Sequence, residues 1–202
     1  MTVRVGVVDY GAGNIANVIR AFESQGINAT LTTSSYSLDN FSHLVLPGVG
    51  AFNYGIENLR NRNLADELLD LVAKERPVLG ICLGMQLFAQ SGYENGPSVG
   101  LGLLEGVVDH LRALGELEPQ GKIPHTGWSS LQPTDGSPVS RVSVPRTAYF
   151  NHSYFLAGAR TSQVIATTSF GGFSIPAVVK SGSLLATQFH PEKSGEEGLK
   201  FL

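Results

Sequence analysis

Apolar residues follow two rhythms along this chain, and the change falls near its middle. In the first half, short apolar runs alternate with stretches of helical spacing. Residues 3–8 (VRVGVV) read as a buried strand. The turn Gly11-Ala12-Gly13-Asn14 follows, and Ile15, Val18, Ile19 and Phe22 then recur at helical spacing until Gly26 ends the helix. Residues 28–33 and 43–46 read as the next strands. Residues 65–74, with Leu64, Leu68, Leu71 and Val72, form an amphipathic helix that feeds a strand opened by Pro77. This βαββ beginning predicts a doubly wound sheet.

Residues 91–103 read as loop. Beyond Gly106 the helical rhythm stops. Residues 107–111, 128–131, 147–150, 164–168, 177–180 and 184–189 read as strands between turns rich in Gly, Pro, Ser and Asp. The expected fold class is therefore α/β, a doubly wound mixed sheet with flanking helices and a β-rich second half. The late strands extend or flank the first sheet, so residues 1–202 are expected to form a single domain. Residues 199–202 read as the start of a last helix that stops early.

Composition narrows the function. A chain of 202 residues with 42% hydrophobic content can bury a sizeable core. Fourteen Lys and Arg against 17 Asp and Glu give a net charge of −3, with only 15% charged residues. That balance predicts no nucleic-acid footprint and no polybasic membrane patch. No apolar run reaches the length of a membrane span, and the N-terminal run is too short for a signal segment. A single cysteine excludes an intrachain disulfide and fits a reducing compartment, so the expected location is cytoplasmic.

That cysteine lies in the most informative stretch, Pro77-Val78-Leu79-Gly80-Ile81-Cys82-Leu83-Gly84-Met85-Gln86. An apolar strand is broken by Gly-x-Cys-x-Gly and resumes as a helix. This is the cysteine form of a nucleophile elbow, in which small neighbours let a strained turn lift the side chain above the sheet. The start of the following helix favours thiolate. A buried structural cysteine is the ordinary alternative, but packing alone gives no reason for glycine at both second neighbours.

A cysteine nucleophile needs a base, and the base needs an orienting group. Of the five histidines, His43 and His110 sit within apolar strands, while His125 and His152 have no carboxylate beside them in sequence. His190 follows the strand 184–189 in Gln188-Phe189-His190-Pro191-Glu192-Lys193-Ser194, at the strand end where Cys82 is also expected. Pro191 stiffens the link, so Glu192 can turn back on the imidazole. The histidines show no short ligand spacing with Cys82, so no metal is expected. Gly11-Ala12-Gly13 lacks the third glycine and the acidic residue of a dinucleotide fingerprint, so no nucleotide cofactor is expected either. A last Gly-rich loop, Pro47-Gly48-Val49-Gly50-Ala51-Phe52, leaves the third strand with bare backbone N–H groups, which suits half of an oxyanion hole.

Four blocks carry a resemblance: Pro47-Gly48-Val49-Gly50, Gly80-Ile81-Cys82-Leu83-Gly84-Met85-Gln86, Tyr149-Phe150-Asn151-His152-Ser153-Tyr154, and Gln188 to Ser194. Together they resemble the class I, triad-type glutamine amidotransferases, whose fold is flavodoxin-like. Within that class the likeness is greatest to the glutaminase subunits of imidazole glycerol phosphate synthase. The opening Val8-Asp9-Tyr10-Gly11-Ala12-Gly13-Asn14 and the block Pro124-His125-Thr126-Gly127-Trp128 share it, so it covers nearly the whole chain.

The resemblance implies a catalytic triad of Cys82, His190 and Glu192 that hydrolyses L-glutamine through a glutamyl thioester. It implies oxyanion donors at Leu83 and in the loop Gly48-Val49-Gly50. The substrate's amino-acid end would be held by Gln86, Glu94, His152, Ser153 and Tyr154, with Glu94 facing the ammonium. It further implies a heterodimer with a (β/α)8-barrel cyclase subunit that receives the ammonia. Asn14, Asn17, Trp128 and Lys193 match positions at or near that interface. Two positions depart from the family pattern: Ser129 stands where Asn usually follows Gly-Trp, and Asn151 precedes His152 where an apolar residue is common. Two other readings are a glutaminase of another synthase, which would not require the Pro-Gly-Val-Gly and Phe-x-His-Ser-Tyr blocks, and a non-catalytic thiol sensor of the same fold, which gives no reason for His-Pro-Glu.

Overall fold

The computed structural model describes residues 3–33, 38–119, 121–134 and 143–202. The first half alternates as expected: β1 (Val5–Val8), α1 (Ile15–Ser24), β2 (Ala29–Thr32) and β3 (His43–Gly48) are followed by α2 (Phe52–Asn61) and α3 (Leu64–Ala73). Next come β4 (Val78–Cys82) and the short α4 (Leu83–Leu87), which begins directly at the strand's end. The second half holds β5 (Ser91–Gly92), β6 (Ser98–Val99), β7 (Val107–His110), β8 (His125–Pro133), β9 (Thr147–His152) and β10 (Tyr154–Ala157). It ends with β11 (Val164–Phe170), β12 (Phe173–Ser181), β13 (Leu184–Thr187) and α5 (Gly195–Phe201).

Nine of these strands form one sheet in the order β2-β1-β3-β4-β13-β12-β11-β8-β9. The β2-β1-β3-β4-β13 portion is parallel, and the strands from β12 outward add antiparallel. The late strands thus extend the sheet, as the loss of helical rhythm implied. Four short strands, β10-β7-β5-β6, make a second sheet beside it.

Alternation along β1 sorts its residues between two cores. Val5 and Val7 pack with Val18 and Phe22 of α1. Val8 packs with Phe52, Ile56 and Leu59 of α2 and with Leu64, Leu68 and Leu71 of α3. Side chains two residues apart share a face of a strand, so helices on both faces require apolar residues at nearly every position. A third cluster, including Phe150, Ile165, Val178 and Phe189, fills the antiparallel portion and receives Phe201 from α5.

The structure differs from the sequence expectation at several boundaries. The helix α2 was not expected. Its first residue follows Ala51, which offers no side-chain cap, and the Phe52 N–H is instead satisfied by Glu94 Oε2 at 2.8 Å, 42 residues away. The loop expected over 91–103 carries the two short strands β5 and β6. The first strand begins at Val5 rather than residue 3, β8 runs from His125 rather than residue 128, and the final helix starts at Gly195 rather than residue 199.

Candidate active site

Cys82 ends β4 with φ 54° and ψ −105°, a left-handed backbone that a side chain rarely adopts. The flanking glycines explain how that turn closes. A Cβ on Gly84 would lie 1.8 Å from the Leu46 carbonyl oxygen, and one on Gly80 would lie 2.3 Å from the Phe88 ring. Only hydrogen fits at either place, so α4 can start at Leu83 tight against β3. Register sets Gly48 opposite Cys82 on the adjacent parallel strand, and the Gly48-Val49-Gly50 loop leaves the sheet beside the sulfur. Gly48 itself is buried against Tyr10 and Leu83, whereas Val49 and Gly50 are exposed and Gly50 has φ +116°.

β13 pairs with β4, so its exit delivers His190 to the same edge. His190 Nδ1 lies 2.9 Å from Glu192 Oε1, with side chains only 3% and 2% exposed. Burial pushes the imidazole toward its neutral form. The neighbouring Cys82 sulfur and the Glu192 carboxylate outweigh it and raise the pKa to about 10. The remaining nitrogen, Nε2, is buried without a hydrogen-bond partner in the described structure, as is Glu192 Oε2. The proton-bearing imidazolium thus stands next to the sulfur, while Sγ itself accepts from the Gln188 amide at 3.7 Å.

A cavity of about 440 Å³ opens over Cys82. Its walls include Val49, Gly50, Leu83, Gln86, Glu94, His152, Ser153 and Tyr154, so most residues anticipated around the substrate meet there. Glu94 is half-buried, lines the cavity and accepts from the Phe52 N–H through Oε2. The Gln86 side-chain amide donates to the Tyr154 carbonyl (2.8 Å) and to Gln188 Oε1 (3.2 Å).

His152, expected at the substrate's amino-acid end, lines the cavity with its ring nitrogens turned to other protein groups. Its Nδ1 donates to the Tyr154 carbonyl at 2.8 Å, and its Nε2 meets His125 Nδ1 at 3.0 Å. Both ring nitrogens are engaged within the protein, so His152 contributes to the cavity wall without a free hydrogen-bonding atom on the ring. Burial lowers the His152 pKa to about 3, with His125 adding to the effect, and burial lowers His125 to about 4. Both rings are neutral at physiological pH.

The four residues expected near an interface lie outside the cavity. Asn14 is exposed at the start of α1, and Asn17, one turn on, accepts from Arg20. Trp128 is 58% exposed on β8 and meets Tyr149 edge-on, with ring centroids 6.3 Å apart. The Lys193 ammonium lies 6.0 Å from the Tyr149 ring centroid. Sequence reasoning missed Gln188, although it lies within a quoted block, because nothing local shows that a residue preceding Phe189-His190 reaches back to Cys82. It also gave His125 and Ser129 no part in the site. His125 Nε2 lies 2.8 Å from the Ser129 hydroxyl. No group of three His, Cys, Asp or Glu residues that could hold a metal ion occurs among the described residues.

A left-handed cysteine at a strand-helix junction, a buried His-Glu pair beside it and a cavity above it suit nucleophilic attack by the sulfur on a bound substrate. The chain belongs to the class I glutamine amidotransferases, whose family model matches residues 6–202. Within that class its relatives are imidazole glycerol phosphate synthase subunits HisH. That of Symbiobacterium thermophilum is 43% identical over 201 residues, 98% of this chain and 91% of the relative. That of Bacillus subtilis is 38% identical over 198 residues, covering 98% and 93%. The fold also matches solved structures of lower identity. A glutamine amidotransferase crystal structure superposes with a TM-score of 0.74 at 22% identity, covering 97% of this chain and 94% of that one. The PurLQS structure from Thermotoga maritima gives 0.72 at 21% identity, covering 100% and 96%. The protein is an amidotransferase of the glutaminase type.

Proposed function

We propose that this chain, acting as a single domain in the cytoplasm, hydrolyses L-glutamine and passes the ammonia to a (β/α)8-barrel cyclase subunit with which it forms a heterodimer. The observation that carries the catalytic reading is the convergence of Cys82, His190 and Glu192 at one sheet edge. The Cys82 sulfur attacks the side-chain amide carbon of glutamine. Backbone N–H groups of Leu83 and of the Gly48-Val49-Gly50 loop stabilise the resulting oxyanion. His190 gives its proton to the departing nitrogen, so ammonia leaves and a glutamyl thioester remains. Water then attacks the thioester with His190 taking its proton, and the sulfur leaves as thiolate, releasing glutamate and restoring the thiolate-imidazolium pair. Glu192 fixes the ring and stabilises the imidazolium throughout.

Glu94 accepts the substrate ammonium through the oxygen not used on Phe52, while Gln86, His152, Ser153 and Tyr154 enclose the rest of the amino-acid end, His152 as wall rather than through a ring nitrogen. The exposed Trp128, with Lys193 stacked by Tyr149 and with Asn14 and Asn17, supports docking of the cyclase on the same side. In that partner the ammonia would enter the step that yields imidazole glycerol phosphate and an aminoimidazole carboxamide ribotide. Glutamate release is measured for the chain alone and with the cyclase bearing its ribotide ligand, with Cys82→Ala alongside. A rate that rises by orders of magnitude with the liganded cyclase and vanishes in Cys82→Ala supports the reading. A rate unaffected by the cyclase overturns the partner, and an unchanged rate in Cys82→Ala overturns the chemistry.

A further inference from the structure

A chain of hydrogen bonds runs from the surface strand β8 to the nucleophile, and the chemistry of its members fixes the direction of every bond. The Tyr154 carbonyl can only accept, so His152 Nδ1 carries a proton, and the 2.8 Å contact is a donation from the ring. With His152 neutral, its Nε2 is a lone pair. The group that fills it is His125 Nδ1–H at 3.0 Å. His125 Nε2 is in turn a lone pair, and the Ser129 hydroxyl donates to it at 2.8 Å. From the other side, the Gln86 amide donates one proton to the same Tyr154 carbonyl and the other to Gln188 Oε1. The Gln188 amide then donates to Cys82 Sγ at 3.7 Å.

Two observations indicate that this arrangement is built rather than incidental. Gln86, Gln188, His125 and His152 are all buried, at 4%, 0%, 7% and 6% exposure, where an unpaired polar atom is costly. Both histidines are also held in place by the sheet: β8 and β9 pair with His125 opposite His152, and His125 stacks on Phe150 at 4.6 Å between centroids. Neither imidazole pairs with a carboxylate among the described residues, and the Nδ1–H of each is already committed to the relay, so neither is placed to serve as the base.

We propose that Ser129, His125 and Gln188 are positioning residues for the glutaminase reaction. Ser129 selects the Nδ1–H tautomer of His125, His125 selects that of His152, and the Tyr154 carbonyl joins this relay to the Gln86–Gln188 pair that orients the Cys82 sulfur. The Tyr154 carbonyl is the node: two donors converge on it, one from each end. Removing the Ser129 donor frees His125 to adopt its other tautomer, which turns its Nδ1 into an acceptor facing the His152 acceptor. The pair must then break or rearrange, and the carbonyl that also anchors Gln86 loses its second donor. The departure at position 129 is thereby accounted for: what the position supplies is a donor, which a serine hydroxyl provides.

The inference rests on Cys82 being the nucleophile, and one of its readouts is independent of activity. Long-range proton–nitrogen NMR on the chain alone identifies which nitrogen of His125 and His152 bears hydrogen. The wild type should show Nδ1–H on both, Ser129→Ala should lose that pattern at His125 and His152, and Ser129→Thr should keep it. In the heterodimer proposed above, Ser129→Ala and Gln188→Leu should lower kcat about tenfold with KM within about twofold, since a small misplacement of the reacting group costs rate rather than binding. Ser129→Thr should restore kcat, and the urea midpoint of each variant separates misplacement from unfolding. Tautomers unchanged in Ser129→Ala, a kcat unchanged in both Ser129→Ala and Gln188→Leu, a loss of equal size in Ser129→Thr and Ser129→Ala, or a loss that tracks the folded fraction each overturns the proposal.

Discussion

His190 Nδ1 and Glu192 Oε1 lie 2.9 Å apart with both side chains almost wholly shielded from water. The two residues are separated only by Pro191, so a short 3₁₀ turn brings the carboxylate back onto the ring that precedes it. An imidazolium buried at that depth depends on its counter-charge. Replacing Glu192 by Gln keeps the shape and removes the charge, so the raised pKa of His190 should fall. The expected outcome in steady-state glutamate release is a kcat at least about a hundredfold lower, with KM within a few-fold, as for loss of the orienting acid in other triads. A variant with wild-type kcat removes Glu192 from the mechanism.

The elbow gives a prediction about stability. At Gly84 an added methyl group would sit 1.8 Å from the Leu46 carbonyl, a backbone atom that cannot swing aside. Gly84→Ala should therefore cost about 3 kcal/mol or more, the upper range of overpacking. The midpoint of urea unfolding measures it. Gly26→Ala is the contrasting case: nothing lies within 4 Å of its Cβ position, and only the backbone at φ +73° is strained, so the loss should be smaller, about 1 kcal/mol.

Stability should decline on the acid side before the ordinary carboxylate range is reached. His152 is held neutral by burial, reinforced by His125, with a pKa of about 3 against 6.5 when unfolded. Below pH 6.5 the unfolded chain binds a proton that the folded chain refuses. Stability from this group is therefore complete above pH 6.5 and is lost as pH falls toward 3, at up to about 1.4 kcal/mol per pH unit for one proton. His125 acts in the same direction down to about 4. His190 has the opposite sign: its raised pKa adds stability that is complete below 6.5 and is lost as pH rises toward 10. Urea midpoints should therefore rise from pH 8 to about 6.5, where only His190 contributes a slope, and fall from there down to 4.5 as the two depressed histidines take over; His152→Gln should flatten that lower limb.

The partner surface can be probed without touching the cavity. Trp128 is 58% exposed and touches Tyr149 rather than any substrate-lining residue. Trp128→Ala should weaken the complex with the cyclase roughly tenfold to a hundredfold, as expected for an aromatic anchor. Titration calorimetry measures it. An unchanged Kd moves the interface elsewhere.

How much of this was legible beforehand depended on how far apart the interacting residues lie in the chain. The elbow could be read because its steric demands fall on Gly80 and Gly84, two residues either side of Cys82. The His190-Glu192 contact was legible for the same reason. The helix α2 was not, because Asn53, Gly55, Asn58 and Asn61 are weak helix formers and its first N–H is capped by Glu94 from another part of the chain. The ring contacts of His152 were not legible either, because its two partners, His125 and the Tyr154 carbonyl, are brought to it by strand pairing and by the turn at Ser153. Gln188 was passed over for a like reason: its contacts with Gln86 and Cys82 span more than a hundred residues.

The cavity wall has a seam in it. β9 ends at His152 in the nine-stranded sheet, β10 begins at Tyr154 in the four-stranded one, and Ser153 is the single residue between them. One part of the cavity wall is therefore stitched to the large sheet and the next to the small, across one residue. Any sliding of the small sheet is delivered at that stitch, with no intervening loop to absorb it. The width of the cavity at this point is thus a matter of how two sheets sit against each other, and a glutamine bound as proposed would read their alignment when it enters.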